Sequence, residues 1–211
     1  CAKASKLFNS IQPKQYRALD ISKEYLEAAV ADLQKQFPQI GMRAQAIDLS
    51  LPLAFPDISN LRKIFFFPGS SIGNYDPEKA DQFFANIAQE CHGNGGLLIG
   101  VDLVKDLETL HLAYNDPLGV TASFNLNILL HVNRIMGSNF NLKDWEHYAF
   151  FNASQSRIEM HLRARSDVAV RLPSDGTKEH VIQFKAGDLI HTENSYKYTQ
   201  DGFTERLRRA G

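Results

Sequence analysis

The chain has few cysteines, no excess of charge of either sign and no long apolar run. Only two of its 211 residues are cysteine, Cys1 and Cys91, which is too few for a disulfide framework and indicates a reducing compartment. Lys and Arg number 23 against 24 Asp and Glu, a net charge of -1, so no basic surface for nucleic acid or an anionic membrane is predicted. No apolar run approaches the roughly 20 residues that span a bilayer, and no secretory signal is present. We expect a cytoplasmic globular protein with neither a nucleic-acid nor a membrane partner.

Several catalytic motifs are also missing. The seven histidines form no HExxH pattern and no cluster with metal-ligand spacing, so no metal site is predicted. No serine or cysteine lies in a nucleophile-elbow context. The glycine-rich GSSIGN segment lacks the Gly-Lys-Ser/Thr sequence of a P-loop. Metal-dependent and covalent catalysis are therefore unsupported.

The first half of the chain alternates short apolar runs with helical patterns. Strands are predicted over residues 16–20, 42–48, 63–68 and 95–103, and helices over 22–37 and 77–91. The first helix should begin at an N-cap, Ser22, and its apolar face comprises Tyr25, Leu26, Ala29, Val30 and Leu33. The run 63–68 is almost wholly apolar, which is typical of a strand buried on both faces. Strands and helices in alternation indicate an α/β fold with a doubly wound parallel sheet.

The pattern changes after Lys105. Two helices are predicted over 107–114 and 120–137, followed by five strands, with a hairpin turn at PSDG, residues 173–176. In one strand the polar residues Arg157, Glu159, His161 and Arg163 alternate with Ile158, Met160 and Leu162, which predicts one wet and one buried face. We therefore expect a parallel domain over 1–105, a mainly antiparallel lobe over 106–198, and the start of a return to the first domain over 199–211.

Polar groups follow several predicted strands, where ligands bind in an open parallel sheet. The acid that ends one predicted strand, Asp20, can bind the ribose hydroxyls of a nucleoside, and the acid that ends the next, Asp48, can accept from an adenine amino group. The glycines of GSSIGN allow close backbone approach to a ligand. On the last strand, Glu193 and Ser195 could hold a ring N–H and its polar neighbour. Ordinary strand ends, a tight loop and a solvated strand face explain the same residues, so the pattern alone leaves both interpretations open.

Five segments in order resemble one known family. They are FPGSSIGNYDP, GVDLVKD, AYND with GVTASFN, RIEMHLRAR and HTENSYKY. Together they are similar to the histidine-specific methyltransferases of the ergothioneine pathway, from about Tyr16 to Tyr198. The resemblance implies a Rossmann-like class I methyltransferase sheet, incomplete at both ends, with a second α+β substrate-binding lobe. It also implies transfer of three methyl groups from S-adenosyl-L-methionine to the α-amino group of L-histidine, giving trimethylhistidine (hercynine).

The same resemblance implies roles for individual residues. Asp20 would hold the cofactor ribose and Asp48 the adenine edge, next to Leu49, where the family commonly has Phe. Glu193 and Ser195 would hold the imidazole of the substrate, an arrangement that selects histidine over apolar amino acids. Asn74 and Tyr114 would orient the amine and carry the catalytic role. The substrate-binding residues implied are Gly69, Asn74, Tyr114, Thr121, Met160, Glu193 and Ser195.

Both ends of the sequence depart from the family pattern. The first strand and glycine-rich turn of such enzymes are not in the sequence, and Lys3-Ala4-Ser5-Lys6 stands where the family often carries Glu-Lys-Thr-Arg. We therefore expect an internal fragment, an incomplete enzyme that should bind the cofactor poorly on its own. Two alternatives stay open: a related N-methyltransferase acting on another small amino acid or amine, and a non-catalytic binding module with the methyltransferase fold.

Overall fold

The computed structural model describes residues 2–49, 51–173 and 180–211. The helices are α1 (Ala2–Ile11), α2 (Lys23–Gln36), α3 (Pro77–Cys91), α4 (Leu107–Tyr114), α5 (Val120–Met136) and α6 (Gln200–Ala210). The strands are β1 (Gln15–Asp20), β2 (Gly41–Ala46), β3 (Lys63–Phe67), β4 (Gly95–Ile99), β5 (Trp145–Asn152), β6 (Arg157–Ala164), β7 (Val168–Leu172), β8 (His180–Phe184) and β9 (Leu189–Tyr196). Cys1 and most of the PSDG turn predicted at 173–176 lie outside the described residues.

The chain forms two compact units. The first comprises Cys1–Ser71, Asp76–Val101 and Asp201–Gly211, and the second comprises Ile72–Tyr75 and Asp102–Gln200. No helix in the described part of the chain is long and apolar enough to cross a membrane.

The first unit is built from parallel strand pairs with helices between them. β1 pairs with β2 and β3 with β4, both in parallel, as the alternating pattern predicts. Within the described residues these pairs are two separate sheets, so the single doubly wound sheet is not confirmed. Two strands are also shorter than predicted, since β2 ends at Ala46, before Asp48, and β4 ends at Ile99.

Helix α2 packs on the first pair through a narrower face than predicted. Leu26 and Val30 are buried against Ala18 of β1, and Leu33 joins a cluster with Phe8 of α1. Tyr25, which we predicted on this face, is 75% exposed. Successive residues are about 100° apart around a helix. The buried stripe runs through residues 26, 30 and 33, so Tyr25, one residue before the stripe, points away from the core.

Strand β3 is not buried on both faces, contrary to the prediction. Helix α3 covers one face, where the rings of Phe67 and Phe83 lie 4.9 Å apart. On the other face Ile64 is 55% exposed and Leu98 of β4 is 52% exposed. An apolar run therefore identified the strand but did not show what covers it.

The second unit has a three-stranded antiparallel sheet of order β5-β6-β9 and a β7–β8 hairpin. Helices α4 and α5 pack against β5. Trp145 is 1% exposed and centres a core cluster with Leu129, Leu162 and Val170. A parallel bridge joins Leu103 to Tyr198, so the chain that enters this unit lies beside the chain that leaves it.

The face of β6 that was predicted to be exposed to solvent is only partly exposed. Glu159 and His161 are 8% and 7% exposed, although the alternation placed both in water. Arg157 forms an ion pair with Glu159 at 2.8 Å, and the ring of Phe150 stacks on His161 with centroids 5.6 Å apart. Polar pairing and aromatic cover replace solvent on this face.

Candidate functional site

The two predicted cofactor acids lie at the same end of the β1–β2 pair. The parallel register sets Asp20 opposite Ala46, and the Asp20 carbonyl accepts a hydrogen bond from the Ile47 N–H at 3.0 Å. Asp48 follows two residues beyond Ala46, and both acids are exposed. The Ser22 backbone N–H donates to Asp20 Oδ1 at 2.9 Å, which fixes that carboxylate at the start of α2. The carboxylates of Asp20 and Asp48 thus lie at the carboxyl ends of the paired strands β1 and β2, and the half-buried Leu49 follows Asp48.

The loop after β3 divides between the units. Gly69 belongs to the first unit and has φ of +85°, a conformation that glycine adopts without strain. The next residue, Ser70, donates its backbone N–H to the Gly100 carbonyl at 3.1 Å. Asn74 belongs to the second unit, at the end of the short 3-10 turn Ser71–Asn74, and is exposed.

Gly73 lies directly against strand β9. A Cβ added at this position would stand 2.9 Å from the Tyr196 carbonyl oxygen and 3.5 Å from Ser195 Oγ. The missing side chain therefore lets the turn lie on the strand that carries the predicted substrate residues. We expected the glycines to admit a ligand, whereas at Gly73 the close approach is to the protein itself.

Tyr114, Ser195 and Lys197 form a hydrogen-bonded cluster in the second unit. The Tyr114 hydroxyl at the end of α4 donates to Ser195 Oγ at 2.8 Å. The Lys197 ammonium donates to Ser195 Oγ at 2.6 Å and to the Tyr114 hydroxyl at 2.9 Å. Lys197 is 3% exposed. The sequence analysis gave Lys197 no role, although its alternation with Glu193 and Ser195 at every second residue places the three on one strand face.

Asp102 provides a negative charge beside this cluster. Its Oδ2 lies 3.5 Å from Lys197 Nζ, and its Oδ1 lies 2.6 Å from Lys105 Nζ. Burial alone would raise the pKa of this carboxyl, but the two lysines outweigh burial and hold the pKa below its ordinary value. The sequence analysis gave Asp102 no role beyond its place in the GVDLVKD segment.

Glu193 is a half-buried carboxylate on β9, opposite Met160 of β6. Burial raises the pKa of Glu193, and the positive charge of Lys197 opposes that rise. Across residues 2–49, 51–173 and 180–211, no hydrogen bond or ion pair to its carboxylate is found. A desolvated acceptor of this kind favours a ligand that brings an N–H donor.

Met160 and Thr121 both have structural partners. Met160 is 3% exposed and packs with Leu110 and Ile158, in a cluster that Tyr114 also contacts. The Thr121 backbone N–H donates to Asp116 Oδ1 at 2.8 Å, and hydrogen bonds from the Thr121 backbone and side chain, with one from the Val120 backbone, lower the pKa of Asp116 to about 2. Met160 thus belongs to the apolar cluster on which Tyr114 packs, and Thr121 fixes the start of α5.

The buried amide of Asn125 and the ring of His147 form a hydrogen-bond network that ends at the backbone carbonyl of Tyr114. Asn125 is fully buried, and its Nδ2 donates to the His161 carbonyl at 2.9 Å. The same Nδ2 lies 2.9 Å from His147 Nδ1, so that ring nitrogen accepts. His147 Nε2 then carries the proton and donates to the Tyr114 carbonyl at 2.8 Å. Asn125 ends the GVTASFN segment and His147 lies in none of the quoted segments; neither was given a role, because their partners lie 22 to 36 residues away.

No group of three or more His, Cys, Asp or Glu side chains in the described ranges could hold a metal ion. The side chains brought together are instead carboxylates at one edge of the first unit and a carboxylate, two hydroxyls and an ammonium in the second. These can bind hydroxyl, amine and ring N–H groups, which are the polar groups of a nucleoside and of a polar amino acid.

Comparison with known proteins agrees with this chemistry. A family model described as "Histidine-specific methyltransferase, SAM-dependent" matches residues 1–211. The Histidine N-alpha-methyltransferase of Mycolicibacterium smegmatis is 35% identical over 199 residues, which cover 94% of this chain and 60% of that protein. The protein of the same name from Mycobacterium tuberculosis is 33% identical, with coverage of 94% and 60%. Ergothioneine biosynthesis protein 1 of Schizosaccharomyces pombe is 34% identical over 65% of this chain and 17% of its own length. The chain thus spans 60% of the length of the two mycobacterial relatives.

Proposed function

Because the chain belongs to the family of histidine-specific, S-adenosylmethionine-dependent methyltransferases, we propose that the protein methylates the α-amino nitrogen of L-histidine. The product is trimethylhistidine. The names of the two mycobacterial relatives support this substrate. The observation in this chain that carries the proposal is the half-buried carboxylate of Glu193, which has no hydrogen-bond or ion-pair partner among the described residues and lies two positions from Ser195.

An acid beside a hydroxyl suits an imidazole ring. Glu193 accepts a hydrogen bond from the ring N–H, and Ser195 bonds to the second ring nitrogen. An apolar side chain in the same place would leave both groups desolvated and unpaired, and polar sites reject such ligands strongly. Met160 completes this subsite as a buried apolar wall.

The residues of the first unit fit a bound nucleoside. Asp20 and Asp48 stand at one carboxyl edge of parallel strands, where open α/β sheets bind nucleosides. The Asp20 carboxylate, which accepts from Ser22 through Oδ1, retains acceptor capacity for ribose hydroxyls. In this proposal Asp48 accepts from the adenine amino group, Leu49 packs beside the base, and the first unit adopts the Rossmann-like class I methyltransferase arrangement. S-adenosylmethionine, when bound, supplies a methyl group on a sulfonium.

The remaining residues orient and desolvate the amine. Only the unprotonated α-amino group can accept a methyl group, and because the ammonium of a free amino acid titrates above the ~8 of a peptide α-amino group, only a small neutral fraction exists at physiological pH. Asn74 offers an amide that donates and accepts, and Tyr114 offers a hydroxyl from α4. With Gly69 giving the loop its turn, these groups hold the amine while Glu193 and Ser195 hold the ring. Alignment of this kind supplies much of the rate enhancement in methyl transfer.

Turnover by the full-length protein tests the proposal. With methyl-labelled S-adenosylmethionine and a panel of amino acids, histidine should gain three methyl groups and the others little label, measured by mass spectrometry. Preferred labelling of another amino acid or amine would replace histidine in the proposal. Binding of S-adenosylhomocysteine without labelling of any compound would identify a binding module instead of an enzyme.

The buried amide behind Tyr114 gives a second prediction. Asn125→Leu removes the donor that serves the His161 carbonyl and His147 Nδ1. We expect the free energy of unfolding to fall by about 1–3 kcal/mol, the cost of leaving buried polar groups unsatisfied. Histidine affinity should fall as well, because His147 no longer holds the Tyr114 carbonyl firmly. Chemical denaturation and calorimetry measure the two effects.

Asn133 on the same helix is the matched control. Its Oδ1 accepts a hydrogen bond from the Phe140 backbone N–H, and its Nδ2 donates to the Phe140 carbonyl. It makes no contact with Tyr114 in the described structure. Asn133→Leu should therefore destabilise the fold but leave histidine affinity unchanged. Equal loss of affinity in the two variants would show that the network has only a structural role.

A further inference from the structure

The buried Lys197 side chain donates hydrogen bonds to both hydroxyls of the proposed substrate site, those of Tyr114 and Ser195. The Lys197 side chain is 1% exposed, and its ammonium lies 4.9 Å from the centre of the Tyr114 ring. Resting on the proposed function, we infer that Lys197 fixes the hydrogen-bond polarity of Ser195, so that this hydroxyl can only donate to a ligand. The subsite then selects a neutral ring with one N–H and one bare nitrogen.

The inference rests on the number of hydrogen bonds that the Ser195 hydroxyl already accepts. A serine hydroxyl has two acceptor lone pairs and one proton to donate. Lys197 Nζ donates to Ser195 Oγ at 2.6 Å, and the Tyr114 hydroxyl donates to the same oxygen at 2.8 Å. Both lone pairs are therefore occupied. Only the Ser195 proton is left for a ligand.

The lysine makes this arrangement hard to reverse. An ammonium has three donors and no acceptor, so neither Ser195 nor Tyr114 can donate towards it. In the bond between the two hydroxyls the Tyr114 phenol is the donor, because a phenol is more acidic than an aliphatic hydroxyl. Asp102, 3.5 Å from Lys197 Nζ, supplies the opposite charge. A further bond from Lys197 to the Ser195 carbonyl at 3.3 Å fixes the ammonium close to its own strand. Lys197 is thus a positioning residue that acts through Ser195.

These hydrogen bonds determine which groups of the subsite can donate to a ligand and which can accept. Glu193, when ionised, only accepts, and Ser195 only donates. Neutral imidazole satisfies both, because one ring nitrogen carries a proton and the other is bare. A phenyl ring satisfies neither, an indole satisfies only Glu193, and an imidazolium presents a second N–H to the Ser195 proton.

A double-mutant cycle in the full-length protein tests the coupling. Histidine binding is measured by calorimetry with S-adenosylhomocysteine present, in Lys197→Met, Ser195→Ala and the double variant. Lys197→Met should weaken histidine binding about tenfold or more, as expected for loss of a charge-assisted hydrogen bond, but should have little further effect once Ser195 is alanine. An equal loss in both backgrounds would overturn the inference.

Lys105→Met is the matched control, since Lys105 also pairs with Asp102, at 2.6 Å, and contacts neither hydroxyl in the described structure. This variant should keep the histidine affinity of the unmodified protein. If it weakened histidine as much as Lys197→Met, the charge at Asp102 and not the polarity of Ser195 would be responsible.

Ring analogues test the same inference without altering Lys197. The two isomers of pyrrolylalanine each keep one N–H and replace the bare nitrogen by C–H. Both should compete with histidine about tenfold or more less tightly in the unmodified protein, and this preference should shrink in Ser195→Ala. If histidine is methylated but a pyrrole isomer binds equally well, the inference on Lys197 fails alone. If no histidine is methylated, the proposed function fails.

Discussion

Glu193→Ala should weaken L-histidine binding about a hundredfold while S-adenosylhomocysteine binds as before. A hydrogen bond to a charged group contributes about 1.5–3 kcal/mol, and the ring N–H left without an acceptor adds a desolvation cost. The effect should be confined to histidine, because Glu193 lies on β9 of the second unit and the proposed cofactor acids lie in the first. Calorimetry on the full-length protein, with each ligand titrated separately, measures both affinities.

Two further variants make this result specific. Glu193→Gln keeps an acceptor oxygen but loses the charge, so its histidine affinity should lie between those of the unmodified protein and the alanine variant. Asp48→Ala should give the reverse pattern, with weaker S-adenosylhomocysteine binding and little change for histidine. Equal losses of both ligands in Glu193→Ala would contradict the assignment of Glu193 to the imidazole.

Features set by local interactions were predictable from the sequence. The bounds of α3 were predicted correctly, since proline is favoured at the first position of a helix and Pro77 begins it. The end of α5 was predicted at Gly137, which has φ of +66° and so adopts the left-handed conformation common after a helix. Parallel pairing of the first four strands also followed from the alternation of elements.

Features that depend on distant partners were not predictable in this way. Alternation along β6 identified its two faces, but the burial of Glu159 and His161 depends on side chains of other strands, among them Asn152 and His191. The same holds for Lys197, whose bond to Tyr114 joins residues 83 positions apart.

The candidate site was predicted in part. Resemblance to a family supplied the identity of Tyr114 and Ser195, and their direct hydrogen bond shows that these two distant segments meet. It did not supply the buried ammonium between them, nor the Asn125–His147 network behind α4. Lys197 and Asn125 lie within the quoted segments HTENSYKY and GVTASFN, but a motif does not show which of its residues touch a ligand and which set the protons and positions of others.

Gly73→Ala should disturb both the fold and substrate binding. The added Cβ would stand 2.9 Å from the Tyr196 carbonyl oxygen, and because that atom belongs to the backbone of β9, the turn Ser71–Asn74 or the strand must move. Overpacking of this kind costs about 1–3 kcal/mol, so the melting temperature should fall. Movement of the turn also displaces Asn74 from the strand that carries Ser195, and histidine affinity should fall about tenfold, a loss of about 1.4 kcal/mol.

Gly96→Ala on β4 is the control for Gly73→Ala, because it adds the same methyl group where the nearest atom is 3.9 Å away, an ordinary contact distance. Substitution there should leave histidine affinity unchanged and stability equal or slightly higher, since alanine lowers the entropy of the unfolded chain. Thermal denaturation and calorimetry on both variants measure the contrast. If Gly73→Ala matched Gly96→Ala in both measurements, contact between the turn and β9 would not position the substrate amine, and Asn74 would lose its structural support for that role.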